Sequence, residues 1–376
     1  MQVWALLVDS YRLLLNRKLF WITLAISAIL ILVYASIGFD DTGISLFFGL
    51  SHFDSDVLKA GTDAAKGFYM GIFSTFIVGI WLTWGATILA LVSTAPIFND
   101  FMADGSIDLV LSKPLNRVTV FFVKYLGGLL FVLIQMTLFT VGVFLCVGWR
   151  VGEWSPSILW AIPLVVVFFS YLYCMSVLFT MLTRSTIASL MLTMVFWLIV
   201  FAGNFAERQL TSLRIYSEVM ADFAGSDFET NLSVKGRRES SRKTGGDSSG
   251  SNDLAVQKAQ EKRRKERVEA QRKRWLTEAE SYKTWQDRLR VVNAILPKTK
   301  QTTDLVEYWT VEKGQGVEAT IAGSSGGQQQ NPADEIRKRA EEYYRNQSPW
   351  YIIGTSLAFE FVILSLACYL FVRRDF

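Results

Sequence analysis

The sequence predicts an all-α membrane protein with six transmembrane helices, and three observations support this fold class. Of the 376 residues, 51% are hydrophobic and 19% are charged, whereas soluble domains carry about 25% charged residues. Aromatic residues, which concentrate in membrane spans and at membrane interfaces, make up 14% of the chain. Six apolar stretches reach about 20 residues, the length that crosses a bilayer as a helix. We therefore expect an integral multi-pass protein of the inner or plasma membrane.

The charged residues are concentrated in one part of the chain. Residues 207–348 hold 26 of the 38 Lys and Arg residues and 22 of the 34 Asp and Glu residues. The net charge of +4 is too small to indicate nucleic-acid binding. The three Cys residues lie in apolar runs without a disulfide or zinc pattern, and there is one His. The sequence therefore predicts an apolar core with one polar insert, without a metal or a cofactor.

The N-terminal residues 1–18 are predicted to form an amphipathic helix on the membrane surface. Apolar side chains recur there at helical spacing: Trp4, Leu7, Val8, Tyr11, Leu14 and Leu15. The alternative is a cytoplasmic extension of the first span.

The membrane spans are predicted from apolar length, and their orientation from the basic residues beside them. The spans cover 19–39, 69–93, 120–148, 158–182, 186–206 and 350–372. Short cytoplasmic loops are enriched in Lys and Arg. Arg12, Arg17 and Lys18 precede the first span, and Lys113, Arg117 and Lys124 lie between the second span and the first turns of the third. Arg184 lies between the fourth and fifth spans, and Arg373 and Arg374 follow the last span. Both termini are therefore expected in the cytoplasm, so that 349–376 comprises the sixth spanning helix and a cytoplasmic tail, and 207–348 is expected outside the cytoplasm.

The segment 94–119, between the second and third spans of the region 19–206, is too polar to cross the membrane. Pro96 can begin a helix there, Pro114 can end one, and Gly105 can divide it into two short helices. One edge would carry carboxylates four residues apart: Asp100, Asp104 and Asp108. The membrane side would carry apolar residues: Phe98, Phe101, Met102 and Val110. The acidic edge could dock on basic residues of a partner, remain solvated, or bind a divalent cation.

A string within this segment resembles a known family. Residues 104–117 read Asp-Gly-Ser-Ile-Asp-Leu-Val-Leu-Ser-Lys-Pro-Leu-Asn-Arg, and 124–127 read Lys-Tyr-Leu-Gly. This closely resembles the cytoplasmic loop of type-2 ABC exporter permeases, which also have an N-terminal interfacial helix and six spans. The resemblance covers about 1–206 and 349–376. The long insert departs from it, because that family usually has a short pair of re-entrant helices at this point.

The resemblance implies a permease subunit that works as a homodimer in the lipid bilayer. A separate cytoplasmic P-loop ATPase would bind the ATP and drive substrate movement, and the present chain, which has no phosphate-binding loop, would not be an enzyme. The segment would be the coupling helix, seated in a groove of the ATPase. The implied contact residues are Asp100, Asp104, Gly105, Ser106, Ile107, Asp108, Leu111, Ser112, Lys113, Pro114 and Arg117.

Glu360 lies near the middle of the sixth predicted span. An ionisable residue at that depth costs about 2.5–3.5 kcal/mol on insertion scales, which makes it a candidate functional residue. It could line a translocation path or a dimer interface. It could equally be protonated and hydrogen-bonded to Gln135 in the third span.

The insert at 207–348 is predicted to be partly helical and partly disordered. Residues 254–295 are predicted to form a long charged helix, whereas 233–253 and 314–331 are rich in Ser, Gly and polar residues and are expected to be flexible. The size of the insert favours an alternative function, a membrane sensor or scaffold that acts through its extracytoplasmic part. A self-contained channel or carrier is disfavoured, because the spans hold almost no ionisable residue besides Glu360 and show no inverted repeat.

Overall fold

The computed structural model describes residues 18–40, 43–54, 58–59, 61–102, 116–152, 154–243, 251–294, 296–310, 332–345 and 348–373. This part of the chain is mostly helical, and six of its helices are long and apolar enough to cross a membrane. They are Lys18–Ala35, Ala64–Phe101, Arg117–Arg150, Pro156–Thr183, Thr186–Gly225 and Pro349–Arg373. The prediction of six helices of membrane-crossing length and composition, in this order along the chain, is thereby confirmed. The predicted interfacial helix lies outside the described residues, except for Lys18, which begins the first helix.

A small antiparallel sheet follows the first helix, α1 (Lys18–Ala35), and was not predicted. Its strands, in spatial order, are β1 (Gly38–Asp40), β2 (Gly43–Leu46) and β3 (Ser51–Asp54). Side chains alternate between the two faces of a strand. Phe39 on one face contacts the ring of Phe68 at 6.5 Å. The sheet is thereby packed against the start of the second spanning helix.

The second spanning helix changes its helical form along its length. It begins as α2 (Asp63–Ile72), continues as a π-helix (Phe73–Ala86) and becomes α-helical again in α3 (Thr87–Thr94). The Thr83 hydroxyl donates to the Val78 carbonyl oxygen, five residues earlier, at 2.9 Å, which is the π-helical spacing. A short helix, α4 (Pro96–Phe101), follows directly, with proline in its first turn, where its missing N–H costs nothing.

The third, fourth and sixth spanning helices form the centre of the bundle. They are α5 (Arg117–Val151), α6 (Ala161–Thr183), which follows a short 3₁₀-helix at Pro156–Trp160, and α11 (Pro349–Arg373). The Asn116 side chain caps α5 by accepting the N–H of Val118 at 3.1 Å. Most side chains of α6 are buried, whereas α5 and α11 each expose one apolar side. α6 is therefore the central helix of this part of the chain.

The fifth spanning helix extends much further than the sequence predicted. It belongs to α7 (Thr186–Lys243), and α8 (Ser251–Asn293) follows it. Helix thus replaces most of the segment 233–253 that was expected to be flexible. The physical reason is that 207–243 contains no proline and only isolated glycines, so nothing in it ends a helix. The other predicted flexible segment, 314–331, lies outside the described residues.

The chain divides into two compact units, and the boundary differs from the predicted insert. The second unit contains 202–294 and α10 (Pro332–Arg345). Its buried Gln286 donates to the Thr211 hydroxyl at 2.8 Å and to the Tyr343 hydroxyl at 2.9 Å, which joins its three helices. By contrast, α9 (Thr299–Thr310) belongs to the first unit, with the spanning helices.

The helix α9 packs into the first unit because one of its faces is compact and apolar enough to be buried. The buried side chains on that face are Thr299, Thr302, Thr303, Leu305 and Val306. They contact α6, α11, the π-helix and the 3₁₀-helix. The insert predicted at 207–348 therefore returns to the bundle before the last spanning helix.

Candidate functional site

The structure describes both ends of the predicted coupling segment. In α4, Asp100 is exposed, whereas Phe98 and Phe101 are only 1% and 4% exposed. Both rings pack into the helix bundle, on the side of α4 opposite to Asp100, and Met102 also packs against the core. The remaining predicted contact residues before Arg117 lie outside the described residues: Asp104, Gly105, Ser106, Ile107, Asp108, Leu111, Ser112, Lys113 and Pro114, as does Val110.

Phe98 and Phe101 belong to a buried group of four rings, which we call the phenylalanine cluster: Phe98, Phe101, Phe121 and Phe371. The ring centroids of Phe98 and Phe121 are 5.4 Å apart, and those of Phe101 and Phe371 are 6.0 Å apart. Phe121 and Phe371 complete the group at 5.8 Å. These separations lie in the range of favourable aromatic pairs. The cluster joins α4 to both α5 and α11.

Two basic residues near the start of α5 reinforce the same junction. Lys124 is 7% exposed, and its Nζ lies 5.4 Å from the ring centroid of Phe101. Arg117, predicted to contact an ATPase, donates from Nη1 to the carbonyl oxygen of Val372 at 3.3 Å. Both residues belong to the string that carries the family resemblance. In the structure they attach the beginning of the third spanning helix to α4 and to the end of α11.

The candidate residue Glu360 is 8% exposed and lies at a second junction, between α5, α6 and α11. The Tyr125 hydroxyl donates to Glu360 Oε1 at 2.7 Å, and the Ser170 hydroxyl donates to Oε2 at 2.7 Å. The ring of Tyr125 stacks on that of Tyr173 at 5.1 Å. Each carboxyl oxygen therefore has one hydroxyl donor from a different helix.

Gln135 takes no part in this junction. It lies ten residues beyond Tyr125 on α5, which is about 15 Å along the helix axis. Its side chain is 3% exposed, and neither of its amide atoms has a hydrogen-bond partner within the described part of the chain. The hydrogen bond to Glu360 that the sequence suggested is replaced by those of Tyr125 and Ser170.

Sequence reasoning missed the residues that complete both junctions: Tyr125, Ser170, Phe121 and Phe371. The sequence signal for these residues is weak: a Tyr and a Phe lie one turn apart in the first turns of the third span.

A divalent cation was one of the three alternatives for the acidic edge of the coupling segment. Among the described residues, no group of three or more His, Cys, Asp or Glu side chains is arranged to hold a metal ion.

Comparisons with protein-family models, with curated proteins and with solved structures find no match to this chain.

Proposed function

We propose that the chain is the membrane-spanning permease subunit of an ABC-type exporter, in which a separate cytoplasmic P-loop ATPase supplies the energy for substrate movement. The observation that carries the proposal is the phenylalanine cluster, which ties the start of the coupling segment to the third and sixth spanning helices. A coupling segment needs such a connection, because the force it receives from an ATPase must reach the helices that enclose the substrate.

The connection between α4 and the spanning helices is continuous and closely packed, so it can transmit movement. Ala95 keeps helical backbone angles, and its N–H donates to the Leu91 carbonyl oxygen at 2.9 Å, so α4 continues the second spanning helix without a break. The four rings of the cluster are at most 4% exposed. Close-packed interiors transmit displacement because they contain little free volume. Movement of α4 would therefore reach the second, third and sixth spanning helices together.

The acidic edge suits a protein partner. Asp100 is exposed on α4, while the rings at positions 98 and 101 are buried. Asp104 and Asp108 continue the same spacing in the sequence. A row of carboxylates facing basic residues of the ATPase would increase specificity and association rate more than affinity. In this arrangement two copies of the chain assemble with two ATPase subunits, with both termini in the cytoplasm.

The test is the ATPase activity of the partner. The full chain is co-expressed with candidate P-loop ATPases from the same organism, purified and reconstituted in liposomes. We expect the parent chain to stimulate ATP hydrolysis. We expect the double variant Asp104→Lys, Asp108→Lys to lose most of this stimulation, because its acidic edge would repel a basic groove.

A matched control carries the same charge change elsewhere. Asp40→Lys with Asp54→Lys reverses two aspartates of the sheet, whose side chains are 55% and 91% exposed. This variant should stimulate the ATPase as the parent does. Unchanged stimulation in the Asp104, Asp108 variant would refute the role of the acidic edge, and absence of any bound or stimulated ATPase would refute the proposed function.

One observation favours a second candidate function, a membrane sensor or scaffold. The second unit forms its own three-helix contacts around Gln286, which is 1% exposed, as expected of a part with a separate binding role. Under this alternative the full chain binds a component of the cell envelope and stimulates no ATPase. Retention of the chain on an envelope fraction, lost on changing exposed residues of α8 and without ATPase stimulation, would support it.

A further inference from the structure

The turn between β2 and β3, together with the strand β3, exposes four large apolar side chains, which we call the hairpin tip: Phe47, Phe48 and Leu50 in the turn, and Phe53 in the strand. Their exposed fractions are 60%, 59%, 89% and 58%. Contiguous apolar surface of this kind marks a site of protein or membrane contact in most proteins. The hairpin lies in the connection between the first two spanning helices, so these side chains do not belong to a span.

The backbone of the turn is held in a conformation that its residues disfavour. Phe47 and Phe48 have φ angles of +52° and +58°. Bulky side chains rarely adopt this left-handed region, because Cβ approaches the backbone too closely. The N–H of Phe48 donates to the Ser36 carbonyl oxygen at 3.2 Å, which holds the turn against the end of α1. The strain keeps two aromatic rings in an outward position, and outliers of this type point to function.

An arginine lies beside the exposed rings. The Arg150 guanidinium carbon is 5.2 Å from the ring centroid of Phe48 and 5.1 Å from that of Trp149, which is 71% exposed. Its Nε donates to the Ala35 carbonyl oxygen at 2.6 Å. Aromatic rings with polar edges concentrate at the headgroup level of bilayers. The planar guanidinium group pairs well with phosphate.

The exposed apolar surface of α1 ends close to the hairpin tip. Ile29, Leu32 and Val33 are 58%, 60% and 51% exposed, as expected for side chains that contact lipid in a spanning helix. The helix ends at Ala35, and β1 begins three residues later. The hairpin tip is therefore close to the point where the apolar surface of α1 leaves the acyl region.

The two faces of the sheet differ in polarity. Ile44 lies opposite Phe53 on one face, whereas Ser45 lies opposite His52 on the other. His52 has carboxylate oxygens of Asp40 and Asp54 at 3.6 and 3.8 Å from its ring nitrogens. A hairpin with an apolar tip and one polar face suits an interface between lipid and water.

We propose that the hairpin tip, together with Trp149 and Arg150, inserts into the headgroup region of the bilayer and binds phospholipid there. The rings and Leu50 contact the boundary of the acyl chains, and the Arg150 guanidinium group pairs with a lipid phosphate. The polar face with His52 stays in water. This anchor fixes the connection between the first two spanning helices against the membrane, and it does not depend on an ATPase partner.

The test measures where a probe on the tip resides. The variant Leu50→Cys is labelled with a nitroxide in the full chain, reconstituted in vesicles of phosphatidylethanolamine and phosphatidylglycerol. The three native cysteines are buried, so the unsubstituted chain reports the background labelling. Accessibility to oxygen, which partitions into lipid, is compared with accessibility to a water-soluble nickel complex. The matched control is Asp54→Cys, on the polar face and 91% exposed at its side chain.

The proposal predicts that the label at position 50 is several-fold more accessible to oxygen than to the nickel complex, and that the label at position 54 shows the reverse. A label at position 50 that favours the nickel complex would place the tip in water and overturn the proposal. Protection of position 50 from both reagents would also overturn it, because the tip would then contact a second copy or another part of the chain. Since position 50 is 89% exposed, the substitution leaves no cavity.

Discussion

The Tyr125 hydroxyl provides a sensitive test of the junction around Glu360. The variant Tyr125→Phe removes only the hydroxyl oxygen, which donates to Glu360 Oε1 at 2.7 Å and also lies 3.3 Å from the carbonyl oxygen of Ser170. It keeps the ring, which stacks on Tyr173 at 5.1 Å, so the variant creates no cavity. Any change in stability therefore reports the hydrogen bonds of this hydroxyl, of which the bond to Glu360 is the shorter.

The size of the effect follows from the environment of the pair. A hydrogen bond to a charged group contributes about 1.5–3 kcal/mol in soluble proteins. Hydrogen bonds between helices in membranes average about 0.6 kcal/mol and reach about 1.7 kcal/mol. Tyr125 and Glu360 are 3% and 8% exposed, so water does not replace the lost donor, but Ser170 still donates to the other oxygen. We expect Tyr125→Phe to lower the free energy of unfolding by about 1 kcal/mol.

The double variant gives the sharper result. Ser170→Ala alone should also cost about 1 kcal/mol. Together with Tyr125→Phe it leaves both carboxyl oxygens without their hydroxyl donors, so the combined loss should exceed the sum of the single losses. Glu360→Gln should cost less than the double variant, because the amide can accept from Tyr125 and donate to Ser170.

Reversible unfolding in lipid bicelles, followed by steric trapping, measures these free energies. Tyr369→Phe is the matched control, because Tyr369 lies on the same helix as Glu360 and is 51% exposed. It should change stability by less than about 0.5 kcal/mol. If Tyr125→Phe and the double variant both behave like this control, the hydroxyls do not stabilise the buried carboxyl and the junction is wrongly described.

Two further substitutions test the packing of each unit. Gly128→Ala should lower the free energy of unfolding of the first unit by about 1–3 kcal/mol, because the new Cβ would overlap the Tyr173 hydroxyl. The control is Gly354→Ala, where a new Cβ would have no neighbouring atom within 4 Å. It should leave the free energy of unfolding unchanged or increase it. Equal effects of the two would contradict the contact between α5 and α6. Gln286→Leu should lower the melting temperature of the full chain, followed by circular dichroism, since its loss of hydrogen bonds costs about 1–3 kcal/mol, whereas the exposed Gln271→Leu should not.

The spanning helices could be predicted because the bilayer leaves few alternatives. A stretch of about 20 apolar residues satisfies its backbone hydrogen bonds in lipid only as a helix or within a closed barrel. The helix ends were less accurate, since the second helix reaches Phe101 and the fifth continues past 206. Pro96 lies just beyond the predicted end of the second span, but it occupies the first turn of α4 and Ala95 keeps helical backbone angles, so the helix continues. In both helices, composition marked where the apolar stretch stops and not where the helix does.

The partners of Glu360 could not be predicted, because helical periodicity describes one helix at a time. Tyr125 and Ser170 are separated from Glu360 by 235 and 190 residues. By chemistry alone, Gln135 suits a buried carboxyl as well as Tyr125 does. Helix packing determines which of the two lies beside Glu360. At this level of α5, Gly128 allows the ring of Tyr173, and with it α6, to approach closely.

The sheet and α9 were missed for different reasons. Strands of three or four residues are shorter than the mean of about 5–6, so they leave little periodic signal. The helix α9 reads as polar because of residues such as Lys300 and Asp304, which pair at 2.8 Å. Its buried Thr302 donates to the Lys298 carbonyl oxygen at 2.8 Å. Such internal hydrogen bonds allow threonine to enter a core, which hydropathy does not detect.

In the proposed function, the phenylalanine cluster couples a cytoplasmic ATPase to the spanning helices. Its most direct test compares Phe371→Ala with Phe361→Ala on the same helix, where the two rings are 0% and 72% exposed. With each variant reconstituted beside the ATPase, we expect Phe371→Ala to retain ATPase binding but lose most of the stimulation, and Phe361→Ala to match the parent. Equal stimulation by both variants would contradict a role of the phenylalanine cluster in coupling.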